Sequence, residues 1–148
     1  MNYSEWEKTV AKTITDDPLW NLKVYRLALF LAAITWNDVT KLLQDQRTLA
    51  VADQLYRAVG SVGANIAEGY GRSSQRDQVR FYEYALGSAR EGRHWYEMAR
   101  PVLGEVVVEH RSDLLAQITR LLLTIIPAER GHAIKEDAPP YLTSDPDS

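Results

Sequence analysis

A chain of 148 residues, 45% hydrophobic and 25% charged, has the size of one domain and enough apolar residues for a core. The absence of cysteine excludes disulfides, thiolate zinc sites and thiol catalysis. The net charge of −3 argues against bulk electrostatic binding of nucleic acid. The N-terminal residues lack the apolar run of a signal peptide, and no stretch approaches the ~20 apolar residues of a membrane span. We therefore expect a cytoplasmic protein with no membrane contact.

Residues 1–17 are predicted to form an N-terminal extension that contains one short helix, from Ser4 to about Thr13. Ser4 and Glu7 have the spacing of a capping box. Asp17 then suits the N-cap, and Pro18 the first turn, of a longer helix.

The first bundle helix is predicted over residues 18–43. Apolar residues recur at steps of three and four, and we expect this seam to face the core: Leu22, Tyr25, Leu29, Ala32, Trp36, Val39 and Leu43. The seam is widened by Leu27, Phe30, Leu31 and Ile34, so the helix should have little surface exposed to solvent. The short polar break that follows requires an antiparallel return.

The second helix, predicted over residues 48–69, has three different stripes. The apolar seam consists of Ala52, Leu55, Val59, Val62 and Ile66. The second stripe consists of small residues: Gly60, Gly63 and Ala67. The third stripe is polar: Gln54, Arg57, Ser61, Asn65, Glu68 and Arg72. Each glycine costs about 1 kcal/mol relative to alanine in a helix, so we expect another helix backbone to approach closely and offset that cost.

The third and fourth helices are predicted over residues 74–103 and 105–126. The third has a seam of Phe81, Ala85, Ser88, Gly92, Trp95, Ala99 and Val102, and an opposite face with Arg76, Arg80, Arg90 and His94. The fourth has a seam of Leu114, Ile118, Leu121 and Ile125 and should end at Pro127 and Gly131. These patterns predict an all-α fold, an antiparallel up-down-up-down four-helix bundle over residues 18–131. An acidic tail over residues 132–148 is expected to be disordered.

The segment QLYRA, followed by NIAEGYGR and FYEYALGSARE, resembles a family of small bacterial four-helix-bundle proteins. Some members are encoded in intervening sequences of large-subunit ribosomal RNA genes, and the accessory variability determinant of diversity-generating retroelements is a relative. The resemblance covers residues 19–126 and implies a four-helix bundle that assembles into a homopentamer. It also implies association with nucleic acid or a ribonucleoprotein, RNA or DNA.

The positions that match this motif are predicted to be structural and to hold the helix pair or a subunit contact: Gln54, Arg57, Ser61, Asn65, Glu68, Gly69, Ser88 and Glu91. With a turn near Arg72, Arg57 should lie level with Ser88 and reach Glu91. Such an ion pair between buried faces would fix the alignment of the two helices.

No constellation of residues for catalysis, metal binding or cofactor binding is present. Glu91 and His94 have the spacing used in carboxylate-bridged di-iron bundles, but the other helices lack the second Glu-x-x-His and the further glutamates. We therefore expect a protein that is not an enzyme and has no cofactor.

For the nucleic-acid hypothesis, the expected phosphate contacts are Arg72, Arg76, Arg80, Arg90 and Arg93. Aromatic residues expected on the surface, and available for subunit interfaces, are Tyr70, Tyr82, Trp95 and Tyr96. Trp95 also lies on the predicted seam and can be a core residue instead. Two alternatives stay open. The arginines can be solvated helix faces with local ion pairs, and the acidic chain can be an interaction module whose partner is another protein.

Overall fold

Four long helices run alternately up and down in a closed ring. The computed structural model describes the backbone of residues 1–137 and the side chains of residues 1–126. The four helices span Lys23–Leu42 (α3), Leu49–Tyr70 (α4), Gln75–Met98 (α5) and Glu105–Asp137 (α7). Each of them packs against the two beside it, α3 against α4, α4 against α5, α5 against α7, and α7 against α3. The predicted all-α up-down-up-down bundle is confirmed.

Two short helices, rather than the single one predicted, precede the bundle. They are α1 (Tyr3–Glu7) and α2 (Lys12–Thr15), followed by a 3₁₀ turn over Pro18–Asn21. The capping box belongs to Asn2 and Glu5, not to Ser4 and Glu7, because the Asn2 side chain accepts from the Glu5 amide at 2.9 Å. Asp17 does not cap the long helix as predicted, because its carboxylate accepts from the Leu19 amide at 2.8 Å and caps the 3₁₀ turn. The predicted start of the first bundle helix at residue 18 is also wrong, since α3 begins at Lys23 and has no side-chain cap.

Of the seven residues that we predicted as the core seam of α3, two are exposed and five are only half-buried and pack against the core: Leu22, Tyr25, Leu29, Ala32 and Val39. Trp36 is 63% exposed and Leu43 is 56% exposed. The buried residues of α3 are Val24, Leu27, Ala28, Phe30, Leu31, Ile34, Thr35, Asp38 and Leu42. A helix that is apolar nearly all round has no unique seam, so periodicity alone could not choose its inner face.

On α4 the predicted apolar seam is confirmed, since all five of its residues are buried. The two glycines of the small-residue stripe have different surroundings. A Cβ atom on Gly63 would lie 3.8 Å from the Ala28 Cβ atom, whereas one on Gly60 would meet nothing within 4 Å. A Cβ atom at Gly63 would therefore fit at ordinary van der Waals distance and Gly60 lies open, so the close approach that we predicted for this stripe is not found at either glycine.

Helix α5 ends at Met98, and a short helix, α6 (Arg100–Leu103), holds Pro101 in its first turn. The surface positions predicted for two tyrosines of α5 are wrong, because Tyr82 is 3% exposed and Tyr96 is 0% exposed. The buried side of α5 therefore includes these tyrosines, which the predicted seam left out, while Trp95 from that seam is only half-buried.

Helix α7 begins after Gly104, whose φ of 86° stops the preceding helix, and it runs past Pro127 to Asp137. The predicted end at residue 126 is therefore wrong. A proline inside a helix removes one backbone donor, and α7 nevertheless continues beyond it. Of the tail predicted to be disordered, residues 132–137 lie in this helix, and residues 138–148 lie outside the described part of the chain. None of the described helices is long and apolar enough to cross a membrane.

Candidate nucleic-acid interface

Two arginine side chains lie on one aromatic ring at the end of the bundle where α4 turns into α5. The guanidinium carbon of Arg72 lies 4.7 Å from the centroid of the Phe81 ring, and that of Arg80 lies 5.3 Å from it. Both are within the range of a cation–π interaction. Arg72 also pairs with Glu68 at 2.9 Å, and Arg80 with Asp77 at 3.5 Å.

Local sequence sets this geometry. A Cβ atom on Gly69 would lie 2.8 Å from the Tyr82 ring and 3.1 Å from the Phe81 Cβ atom, so α4 and α5 approach closely here only because residue 69 is glycine. The Ser74 hydroxyl accepts from the Asp77 amide at 3.3 Å and so caps α5. The chain thus starts α5 immediately after the turn, and Arg80 lies on the same Phe81 ring as Arg72.

The five predicted arginines form two groups. Arg80 shares the Phe81 ring with Arg72, and Arg76 lies one turn before Arg80 on the same side of α5; we refer to these three residues as the arginine cluster. Arg90 lies ten residues beyond Arg80, which is about 15 Å along the helix axis, and Arg93 follows it at a different angle around the helix. All five are exposed. Among described residues, no ion-pair partner is found for Arg76, Arg90 or Arg93.

The polar stripe of α4 does not form the ion pair that we predicted. Arg57 pairs with Asp53 at 3.6 Å, and the Glu91 carboxylate accepts from the Trp95 indole at 3.1 Å. The helix register explains the difference, because Val59 packs against Gly92, further along α5 than a turn at Arg72 predicts.

The other motif positions take several different environments. Gln54, like Arg57 and Glu91, is exposed, while Ser61 and Ser88 are half-buried. The Asn65 side chain donates to the Ser61 carbonyl at 2.9 Å. Gly69 is buried at the close contact of α4 with α5.

A buried polar network that sequence analysis missed joins α3, α5 and α7. Asp38 accepts from Arg111 at 2.8 and 3.1 Å, and from the Tyr96 hydroxyl at 2.7 Å. That hydroxyl also lies 2.8 Å from the Thr35 hydroxyl. Burial, and then the charge of Asp38, raise the pKa of Tyr96 well above its usual value. The only signal in the sequence was an acid three residues after a threonine within an apolar helix.

Within residues whose side chains are described, no three His, Asp or Glu side chains are grouped to hold an ion. Glu91 is engaged by Trp95 as described above. His94 stacks edge-on against the same indole, with ring centroids 5.0 Å apart.

A second exposed surface, which we name the α3–α4 face, is apolar. Trp36 packs edge-on against Tyr56, which is itself 43% exposed, with ring centroids 5.8 Å apart. Beside this pair, a groove of about 130 Å³ between the helices is lined by Tyr25, Ala28, Leu29, Ala32, Val59, Gly60, Gly63, Ala64 and Ala67. The residues predicted as the core seam of α3 form much of this face.

Comparison with known proteins gives the same fold and one family. A crystal structure of a protein with unknown function from the S23 ribosomal protein family of Bacteroides thetaiotaomicron is similar, with a TM-score of 0.66 and 27% sequence identity. The alignment covers 70% of this chain and 97% of that one. No curated protein matches the sequence. The family model described as 23S rRNA-intervening sequence protein matches residues 20–125, so the chain belongs to the 23S rRNA-intervening sequence protein family.

Proposed function

We propose that this protein is a non-enzymatic, self-associating bundle that binds the phosphates of nucleic acid, free or in a ribonucleoprotein, through the arginine cluster. The supporting observation is the exposure of Arg72, Arg76 and Arg80 together at one end of α4 and α5. The family is named for an intervening sequence of 23S rRNA, and the similar structure for a ribosomal protein, which favours a nucleic-acid partner. We place this function in the cytoplasm.

The local ion pairs of the cluster do not prevent such binding. The Glu68 and Arg72 side chains are 57% and 43% exposed, and exposed pairs contribute at most about 1 kcal/mol. A phosphate therefore competes with Glu68 or Asp77 at little cost. Contacts of this kind provide affinity without base specificity, and the affinity falls steeply with salt.

The α3–α4 face supports self-association. Exposed large apolar side chains that adjoin a groove of small residues are typical of protein interfaces. Trp36 provides a projecting side chain, and the open surface at Gly60 allows a second backbone to come close. The family resemblance makes a homopentamer the specific assembly that we propose.

Paired substitutions test the phosphate contacts. Arg76→Ala with Arg80→Ala removes two charges from the cluster, and Arg90→Ala with Arg93→Ala removes two from the distal part of α5. Lys12→Ala with Lys41→Ala is the control of equal charge. We expect the first pair to weaken binding of a labelled RNA most and to lower the slope of log K against log salt by about 0.7–0.9 for each phosphate that is no longer neutralised. Equal effects of all three pairs would show only bulk electrostatics and contradict the proposal.

The second candidate is a protein-interaction module without nucleic-acid binding. The net charge of −3 and the apolar α3–α4 face favour it. Purification from cells at low salt separates the two functions. A defined protein partner with no nucleic acid would support this candidate, and nucleic acid whose binding requires Arg76 and Arg80 would support the first.

A further inference from the structure

One exposed aromatic side chain beside the arginine cluster has no role in the core. Tyr84 is 51% exposed, and its ring contacts the edge of Phe81, with centroids 5.7 Å apart. Replacing an exposed tyrosine on a helix with a charged residue normally changes the stability of a protein little. The position of Tyr84 next to cationic side chains makes a nucleobase its candidate ligand, because nucleobases stack on aromatic rings.

We propose that the nucleic acid bound at the arginine cluster is single-stranded and that one of its bases stacks on Tyr84. This inference rests on the function proposed above and names the substrate class of the same site. Arg76, Arg80 and Tyr84 follow one another at steps of four along α5. Side chains at this spacing are neighbours on one side of a helix, with Cβ atoms about 5–6 Å apart. A strand that runs along this row meets two cations and then an aromatic face.

Phe81 connects the arginines, which would contact phosphates, with Tyr84, which would stack on a base. Its ring holds Arg72 and Arg80 by cation–π interactions and also packs against Tyr84. The arginine and tyrosine side chains are therefore positioned by one residue that is itself half-buried between α4 and α5. The arrangement combines a phosphate-binding group with a stacking platform, which is how proteins bind single strands without reading their sequence.

A duplex cannot use the platform in the same way. Between its two terminal pairs, its bases are stacked on one another, so their faces are closed to a side chain unless a base is flipped out. Phosphate contacts alone do not require a single strand. Tyr84 is thus the residue expected to distinguish a single strand from a duplex.

Fluorescence anisotropy with the full chain tests this inference. The probes are a labelled single-stranded RNA of mixed sequence and a blunt RNA duplex of equal total charge, at one fixed salt concentration. We expect Tyr84→Ala to weaken binding of the single strand about 5- to 150-fold, the range for removal of one stacked base, and to leave duplex binding within about 2-fold. Tyr84→Phe, which keeps the ring, should bind the single strand as the unmodified protein does.

Met98→Ala is the matched control, since Met98 lies on the same helix and is also 51% exposed. It should change neither affinity. Equal weakening for both probes, or no effect of Tyr84→Ala on the single strand, would overturn the inference. The Arg76 and Arg80 pair decides the proposed function separately: if that pair weakens binding while Tyr84→Ala does not, the phosphate contacts stand and the stacking is wrong.

Discussion

Asp38 and Arg111 form a two-pronged ion pair between α3 and α7, with the side chain of Asp38 6% exposed and that of Arg111 16% exposed. The Tyr96 hydroxyl donates to the same carboxylate from α5. Three of the four long helices are therefore joined at one carboxylate. A buried charged network of this kind penalises any alignment that separates its members, so it contributes specificity to the helix register.

Removal of one member of the pair should destabilise the fold. Asp38→Ala leaves Arg111 without its carboxylate in a mostly buried site, and we expect the free energy of unfolding to fall by about 2–4 kcal/mol. Urea denaturation measures it. Asp53→Ala, which breaks the exposed pair with Arg57, is the control and should change stability by less than about 1 kcal/mol. Equal losses of stability at the two positions would show that the buried network stabilises the fold no more than an exposed ion pair does.

The stability contribution of Tyr96 should depend on pH. The pKa of Tyr96 is raised from its ordinary value of 10.0, chiefly by burial. A raised pKa means that the folded state holds the phenol proton more tightly than the unfolded state, so the contribution is complete below pH 10.0 and is lost as the pH rises above it. The difference in urea midpoint between the unmodified protein and Tyr96→Phe should shrink above that pH. A difference in urea midpoint that stays constant up to the highest pH at which the protein remains folded would contradict the raised pKa of Tyr96.

Two helical glycines should respond to alanine in opposite directions. Gly69→Ala places a Cβ atom 2.8 Å from the Tyr82 ring and should destabilise the fold by about 1–3 kcal/mol, because the two helices must separate. Gly87→Ala enters open space and should stabilise it by up to about 1 kcal/mol. Thermal unfolding compares the pair. Destabilisation by both would mean that the space beside Gly87 is filled, for example by another subunit.

The α3–α4 face should control assembly. Trp36→Glu puts a charge on the exposed apolar surface and is expected to lower the number of subunits measured by light scattering while leaving the helix content of the chain unchanged. Met98→Glu, at an exposed apolar residue of α5, is the control and should leave assembly intact. The same subunit number for Trp36→Glu as for the unmodified protein would remove this face from the interface.

The sequence was most informative where a helix has only one apolar side. Every residue of the predicted α4 seam is buried, because the glycine and polar stripes leave Leu55, Val62 and Ile66 as the one apolar choice. The seam did not include Val51 and Ala58, which are buried as well. On α3 the apolar residues surround the helix, and the inner face depends on partners such as Arg111 and Tyr96, which are far away in sequence. For the same reason, the spacing of Thr35 and Asp38, which was the one local signal, could not by itself show that Asp38 is buried.

The residues of the candidate site were predicted from the sequence, but their arrangement in space was not. The helical spacing placed Arg76 and Arg80 on one exposed face. It did not show that Arg72 and Arg80 share the Phe81 ring, because that contact depends on the close approach of α4 and α5 at Gly69. Tyr84 was passed over because a single exposed tyrosine has no sequence signature.

The most direct test of the account is a native mass spectrum of the protein purified at low salt, compared with that of the Arg76→Ala, Arg80→Ala variant. We predict an assembly of five subunits that carries additional polyanion mass, and a variant with the same subunit number and without that mass. A monomer without nucleic acid, or a variant that retains the same polyanion mass as the unmodified protein, would contradict the account.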